Sequence, residues 1–204
     1  MATPFLINTP TNFVSITGTA DIPVPIPAVA GIGTPVTIGS LTLPLTTRGN
    51  RVFIEGTIPL VFTALAAVAA VGSVDVVLEV FRSATSTTPI FRSRQTIVSG
   101  LTLAVGAVIY DVLPFQFVDD PATPLCAGST DYFFRVTAIT AGIVVAAATL
   151  TVNSVAQGLF FNIIAEEKPA VLLNQFTSFT GITPTTSILP VIPPIIPIIP
   201  PLVP

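Results

Sequence analysis

Three carboxylates lie close together in the second half of the chain: Asp119, Asp120 and, a short loop later, Asp131. Oxygen ligands on a loop can hold calcium, which takes about six to eight of them. The spacing matches no calcium-loop motif, so a solvated turn between two strands is the plainer reading and no metal site is expected. Cys126 stands nearby as the only thiol. A nucleophilic cysteine draws on a neighbouring base, usually His, and the chain contains no His. Cys126 therefore reads as a small buried hydrophobe rather than a reactive thiol. A lone cysteine can form no disulfide within one chain and leaves the compartment unread, although a bond between two copies stays open. Lys168 is the single lysine, and Trp is absent. Gly31 and Gly33 lack the full phosphate-loop spacing and a following helix, and read as a turn. The chain thus offers no catalytic, cofactor-binding or metal constellation, and the expectation is a protein that is not an enzyme.

Composition points the same way. Charged residues make up 8% of the chain, against about 25% in an average protein, while 51% are hydrophobic. A surface made largely of Thr, Ser, Ala and Pro, with a net charge of -3, gives little repulsion between copies. The six arginines and one lysine form no basic run, which argues against nucleic acid as a partner. The most apolar stretch, residues 58–74, contains Pro59, Thr63, Gly72 and Ser73 and is about 17 residues long, at the lower limit for a spanning helix. The N-terminal residues lack a positive n-region and a cleavage site, so a surface or extracellular location would be reached without a secretory signal peptide.

The elements that hold these residues read as strands. Val52, Ile54, Ile58, Leu60 and Phe62 alternate against Arg51, Glu55 and Thr57, and Val74, Val76, Leu78 and Val80 alternate against Asp75 and Glu79, which are expected outside. Further strands are expected over residues 12–19, 34–46, 90–98, 108–118, 131–140, 143–153 and 155–166, with a short helix competing only over the alanine-rich residues 64–71. About eight to ten strands with no helical period predict an all-β, antiparallel jelly-roll sandwich. Adjacent Phe133 and Phe134, and Phe160 and Phe161, must each send one ring to either sheet face.

Four regions follow: an N-terminal arm over residues 1–11, a β-sandwich core over 12–166, a connector over 167–189 opened by a charged break at Glu166, Glu167 and Lys168, and a tail over 190–204. The tail carries seven prolines and otherwise only Ile, Val and Leu. Proline at that density removes the donors a helix or central strand needs, which predicts a polyproline-type rod of up to roughly 45 Å. Apolar residues on both arms mark an assembly interface: Phe5, Leu6 and Ile7 at the N-terminus, and Ile192, Ile195, Ile196, Ile198, Ile199 and Leu202 in the tail.

Residues 50–62 early in the core and 155–164 at its end resemble the corresponding strands of the compact jelly rolls of the TNF/C1q-like superfamily. The charge-poor texture rich in Thr, Ala, Val and Ile is most similar, within that set, to bacterial spore-surface proteins, namely exosporium proteins and endospore appendage subunits. The resemblance implies a non-enzymatic subunit that packs into trimers, fibres or a surface layer at a cell or spore surface. Its partners would be further copies of itself and other surface-layer proteins, with no membrane insertion, because a rod without internal hydrogen bonds leaves its carbonyls unsatisfied in lipid. The alternative is a trimeric binding module of the TNF/C1q-like kind that recognises a receptor or glycan.

Overall fold

Alternation of apolar and polar residues sets the architecture. The computed structural model describes residues 12–46, 50–65, 68–69, 72–100, 102–120, 125–141 and 148–168. Among them the strands are β1 (Asn12–Thr17), β2 (Ile22–Val24), β3 (Gly31–Ile32), β4 (Val36–Leu45), β5 (Arg51–Ala64), β6 (Val68–Ala69), β7 (Ser73–Phe81), β8 (Phe91–Ser99), β9 (Thr102–Leu103), β10 (Val108–Asp119), β11 (Gly128–Ala141), β12 (Ala148–Val152) and β13 (Asn162–Lys168). The first sheet runs β1-β13-β5-β10, and the second runs β4-β11-β7-β8, with every pair antiparallel. Numbered by chain order among these eight strands, the two sheets read 1-8-3-6 and 2-7-4-5. That order is the paired Greek key of a jelly roll, so the strand connectivity itself establishes the fold.

The core lies between the sheets. Val52, Ile54, Ile58, Leu60 and Phe62 of β5 are fully buried, as are Val74, Val76, Leu78 and Val80 of β7 and Tyr132, Phe134, Val136 and Ala138 of β11. Each large apolar side chain so placed contributes about 1.5–3 kcal/mol from burial. In β4 the inward parity changes between Ile38 and Leu41. A bulge causes it: pairing with β11 passes from Thr37↔Arg135 to Gly39↔Phe134 and skips Ile38.

A proline in a central strand needs an explanation, because it has no N–H to give to a ladder. On one side β5 pairs along its length with β10. On the other it pairs with β13 over Arg51 to Thr57 and with β12 over Leu60 to Ala64. Pro59 sits in the gap between those partners, where no donor is called for, and its carbonyl accepts from the Asn153 N–H at 3.1 Å. β12 carries β2 on its outer side, β3 joins the end of β11, and β6 pairs with β9 in a small ribbon.

Several expectations change in the structure. Residues 155–166 do not form one strand: Val155–Gln157 is a single 3-10 turn, Gly158 closes it with a left-handed φ of 66°, and the strand begins only at Asn162. Asn153, at φ 71°, is the reason. Its buried side chain donates to the Ala20 carbonyl at 2.6 Å and accepts from the Phe161 N–H at 2.7 Å, tying the turn to the end of β1. Gly31 and Ile32 form β3 rather than a turn, paired with Thr140 and Ile139. Glu166, Glu167 and Lys168, read as a charged break, are the last residues of β13. Cys126, expected to be buried, is exposed.

Candidate assembly surface

Most of the few charged residues in the described chain hold the fold together. Asp119 is not in a solvated turn. It is 4% exposed at the end of β10, where Arg82 donates to both of its oxygens and the Tyr132 hydroxyl donates to Oδ2 at 2.8 Å. Burial, then the Asp119 charge beside it, pushes the Tyr132 phenol well above its ordinary range, and the same carboxylate raises the Arg82 guanidinium. Asp120 pairs with Arg51 at 3.0 Å, and Asp131 accepts from Thr42 at 2.6 Å. The three acids that suggested an ion site therefore serve three separate structural partners. Among the described residues no group of three His, Cys, Asp or Glu is placed to hold a metal. Glu167 is fully buried, with Asn12, Thr46 and Asn50 donating to its carboxylate at 2.7–3.1 Å.

The outward face of the second sheet is roofed by arginines. Asp75, expected outside, is 3% exposed because Arg94 of β8 lies over it, with Nε at 3.0 Å from Oδ2. Its other oxygen is buried without a hydrogen-bond partner. Arg92 reaches Glu79 at 3.5 Å, and Arg135 lies 4.2 Å from the centre of the Phe81 ring while donating to the Ala84 carbonyl. Val77 and Thr137, on the same outward face, are buried as well.

The outward face of the first sheet is different. Along β10, Val108, Tyr110, Val112 and Val118 are 42–53% exposed, and Pro114 and Gln116 complete the row without a charge. Across from them on β5 stand Thr63, Val61, Pro59 and Thr57, and Thr149 and Thr151 of β12 extend the surface beyond β5. Charge returns towards β13, at Arg51, Glu55 and the Glu166–Lys168 pair. Between these halves is a shallow cup of about 320 Å³ around Gly56, Pro114, Asn162 and Ile164. Gly56 in its floor is held to glycine by packing on the inner side: a Cβ there would lie 2.7 Å from the Asn162 carbonyl and 2.9 Å from the Phe115 ring.

The sheet margins are blunted except at β1, which ends the first sheet with neither proline nor charge. β10, β4 and β2 each have one partner strand among the described residues or stand at a sheet end, and each contains a proline: Pro114, Pro44 and Pro23. β8, the margin beside β7, exposes Arg92 and Arg94 instead. Proline and charge on marginal strands are the usual means of discouraging strand addition.

The nine residues expected at the assembly interface, Phe5, Leu6, Ile7, Ile192, Ile195, Ile196, Ile198, Ile199 and Leu202, all lie outside the described residues. The β10 surface escaped the sequence reading, although a signal was there. Val108, Tyr110, Val112, Pro114 and Val118 alternate with Ile109, Leu113, Phe115 and Phe117, so both faces of the strand are apolar. A strand covered on one side only does not need that. No helix among the described residues is long and apolar enough to cross a membrane.

No protein-family model and no curated protein matches the chain. Solved structures with a loose likeness come from infectious bursal disease virus. The Gx strain structure is 14% identical over 78% of this chain and 37% of that one, with a TM-score of 0.35. The VP2 subviral particle of the same virus gives 14% identity, coverage of 78% and 37%, and a TM-score of 0.35. The Gt strain gives 13%, 81% and 44%, and 0.28. This chain spans less than half the length of each.

Proposed function

We propose that this protein is a non-enzymatic structural subunit that assembles with copies of itself into a fibre or surface layer. The observation that carries the reading is the outward row of β10, with four apolar side chains about half exposed and no charge along it. A contiguous apolar face of that extent is uncommon on a protein that stays apart from others. The proline tail and the N-terminal arm add apolar segments for further contacts, through the residues named above. A place on a cell or spore surface, among other surface-layer proteins, fits the low charge and belongs to the same proposal.

Electron microscopy and sedimentation velocity of the purified full-length chain test it. Fibres or ordered lattices that grow with concentration are expected, and they should persist in EDTA, since no metal is invoked. A chain that remains monomeric from micromolar to near-millimolar concentration would overturn the proposal.

A further inference from the structure

Resting on the assembly reading above, we infer that the outward face of the first sheet, through its uncharged half around Tyr110, is where a second copy of this chain packs, sheet face against sheet face. Three features select this surface and this occupant. First, the face can meet its own copy without repulsion. In a two-fold contact each patch faces itself, so a patch bearing one sign of charge opposes itself, whereas the row from Val108 to Pro114 with Pro59, Val61 and Thr63 carries none. The outward face of the second sheet is instead occupied by charge, with Arg94 over Asp75, Arg92 against Glu79 and Arg135 over Phe81, and would have to bury those groups to meet its copy.

Second, the area suffices. A twelve-residue strand is about 40 Å long, and four strands side by side are about 19 Å wide, which gives on the order of 800 Å². That is the share each partner contributes to a standard interface. The layout divides the face in two, with Tyr110, an anchor-type residue 52% exposed, on the uncharged half beside Val108 and Val112, and Glu55, Gln116 and Lys168 on the other half. Third, the competing route is narrowed: prolines in β2, β4 and β10 and the arginines of β8 discourage pairing at those margins, and the six-residue β1 is left without either, which favours a face as the means of contact.

The test uses the full chain carrying Tyr110→Glu or Val112→Glu, followed by sedimentation velocity. Both side chains are about half exposed, so the circular dichroism spectrum and unfolding midpoint should stay near those of the parent. The self-association constant should fall about tenfold or more. In a Cys126→Ser background, Val112→Cys treated with a bismaleimide spanning about 10 Å, the spacing of stacked sheets, should yield a covalent dimer. A parent that assembles while Tyr110→Glu assembles equally well, with no cross-link at residue 112, overturns this contact and leaves the assembly reading standing. Loss of assembly in Tyr110→Glu without a residue-112 dimer, matched by loss on deleting residues 190–204, gives the face to the tail and also overturns it. A parent that never assembles removes both readings at once.

Discussion

Tyr132 shows how one buried hydroxyl links packing to pH. Its O–H donates to Asp119, a carboxylate that Arg82 already neutralises. Tyr132→Phe keeps the ring and removes that bond, which should lower stability by about 1.5–3 kcal/mol at neutral pH, read from urea unfolding. The pH profile separates this from a packing effect. The folded phenol titrates above its ordinary value of about 10, so above that pH the unfolded chain sheds a proton that the folded chain keeps. Stability from this group is complete below pH 10 and falls as pH rises, by about 1.4 kcal/mol at pH 11. The gap between parent and Tyr132→Phe should narrow by that amount between pH 8 and 11; a constant gap would show that the phenol ionises equally in both states. The arginine roof supplies a second contrast. Arg94→Ala strips from buried Asp75 the only side-chain partner it has among the described residues and should cost about 3–5 kcal/mol, whereas Arg92→Ala removes an exposed contact to Glu79 and should cost under about 1 kcal/mol. Equal losses in thermal unfolding would refute the distinction. None of these burials was legible in the sequence. A charge reads as exposed unless its partner is in view, and Arg94 stands 19 positions from Asp75, Arg82 37 from Asp119 and Asn12 155 from Glu167.

Strands were the legible part, where local alternation and packing agree. The inward sets of β5 and β7 follow directly from every-other-residue spacing, because each faces a single core. The spacing misleads over residues 155–161, where Val155, Leu159, Phe160 and Phe161 look strand-like. There the left-handed backbone at Asn153 and Gly158 turns the chain, and apolar content alone carries no trace of that. Prolines inside strands were also hard to read, since their tolerance depends on which side of the strand lacks a partner. Pro114 permits a prediction. Pro114→Val restores an N–H and adds β-propensity to a twelve-residue marginal strand. The monomer should be no less stable, but light scattering and thioflavin fluorescence should report faster, less ordered aggregation. Unchanged kinetics would mean that Pro114 does not guard that margin.

For the whole molecule, the tail and the sheet face can be weighed separately. Replacing Ile195, Ile196, Ile198 and Ile199 with Ser keeps every proline, and so the stiffness, while removing most of the apolar surface of the tail. If the tail connects subunits, the concentration needed for polymers visible by microscopy should rise about tenfold or more. The same polymers at the same concentration would leave the sheet face and the N-terminal arm to hold the subunits together. The strand order has a further consequence, for the moment of synthesis. β1 is made first, yet its ladder partner is β13, in the register Asn12↔Glu167. A ribosome adding about 5–20 residues each second emits the partner many seconds later. Throughout that interval β5 lacks β13 as well, so one flank of β5 and the whole of β1 wait without their ladder partner. The first sheet therefore stays incomplete until β13 has been made, and its outer face exists as a whole only after that strand has arrived. Translation thus separates folding from polymerisation in time, because a half-made subunit has no finished surface to offer its neighbours.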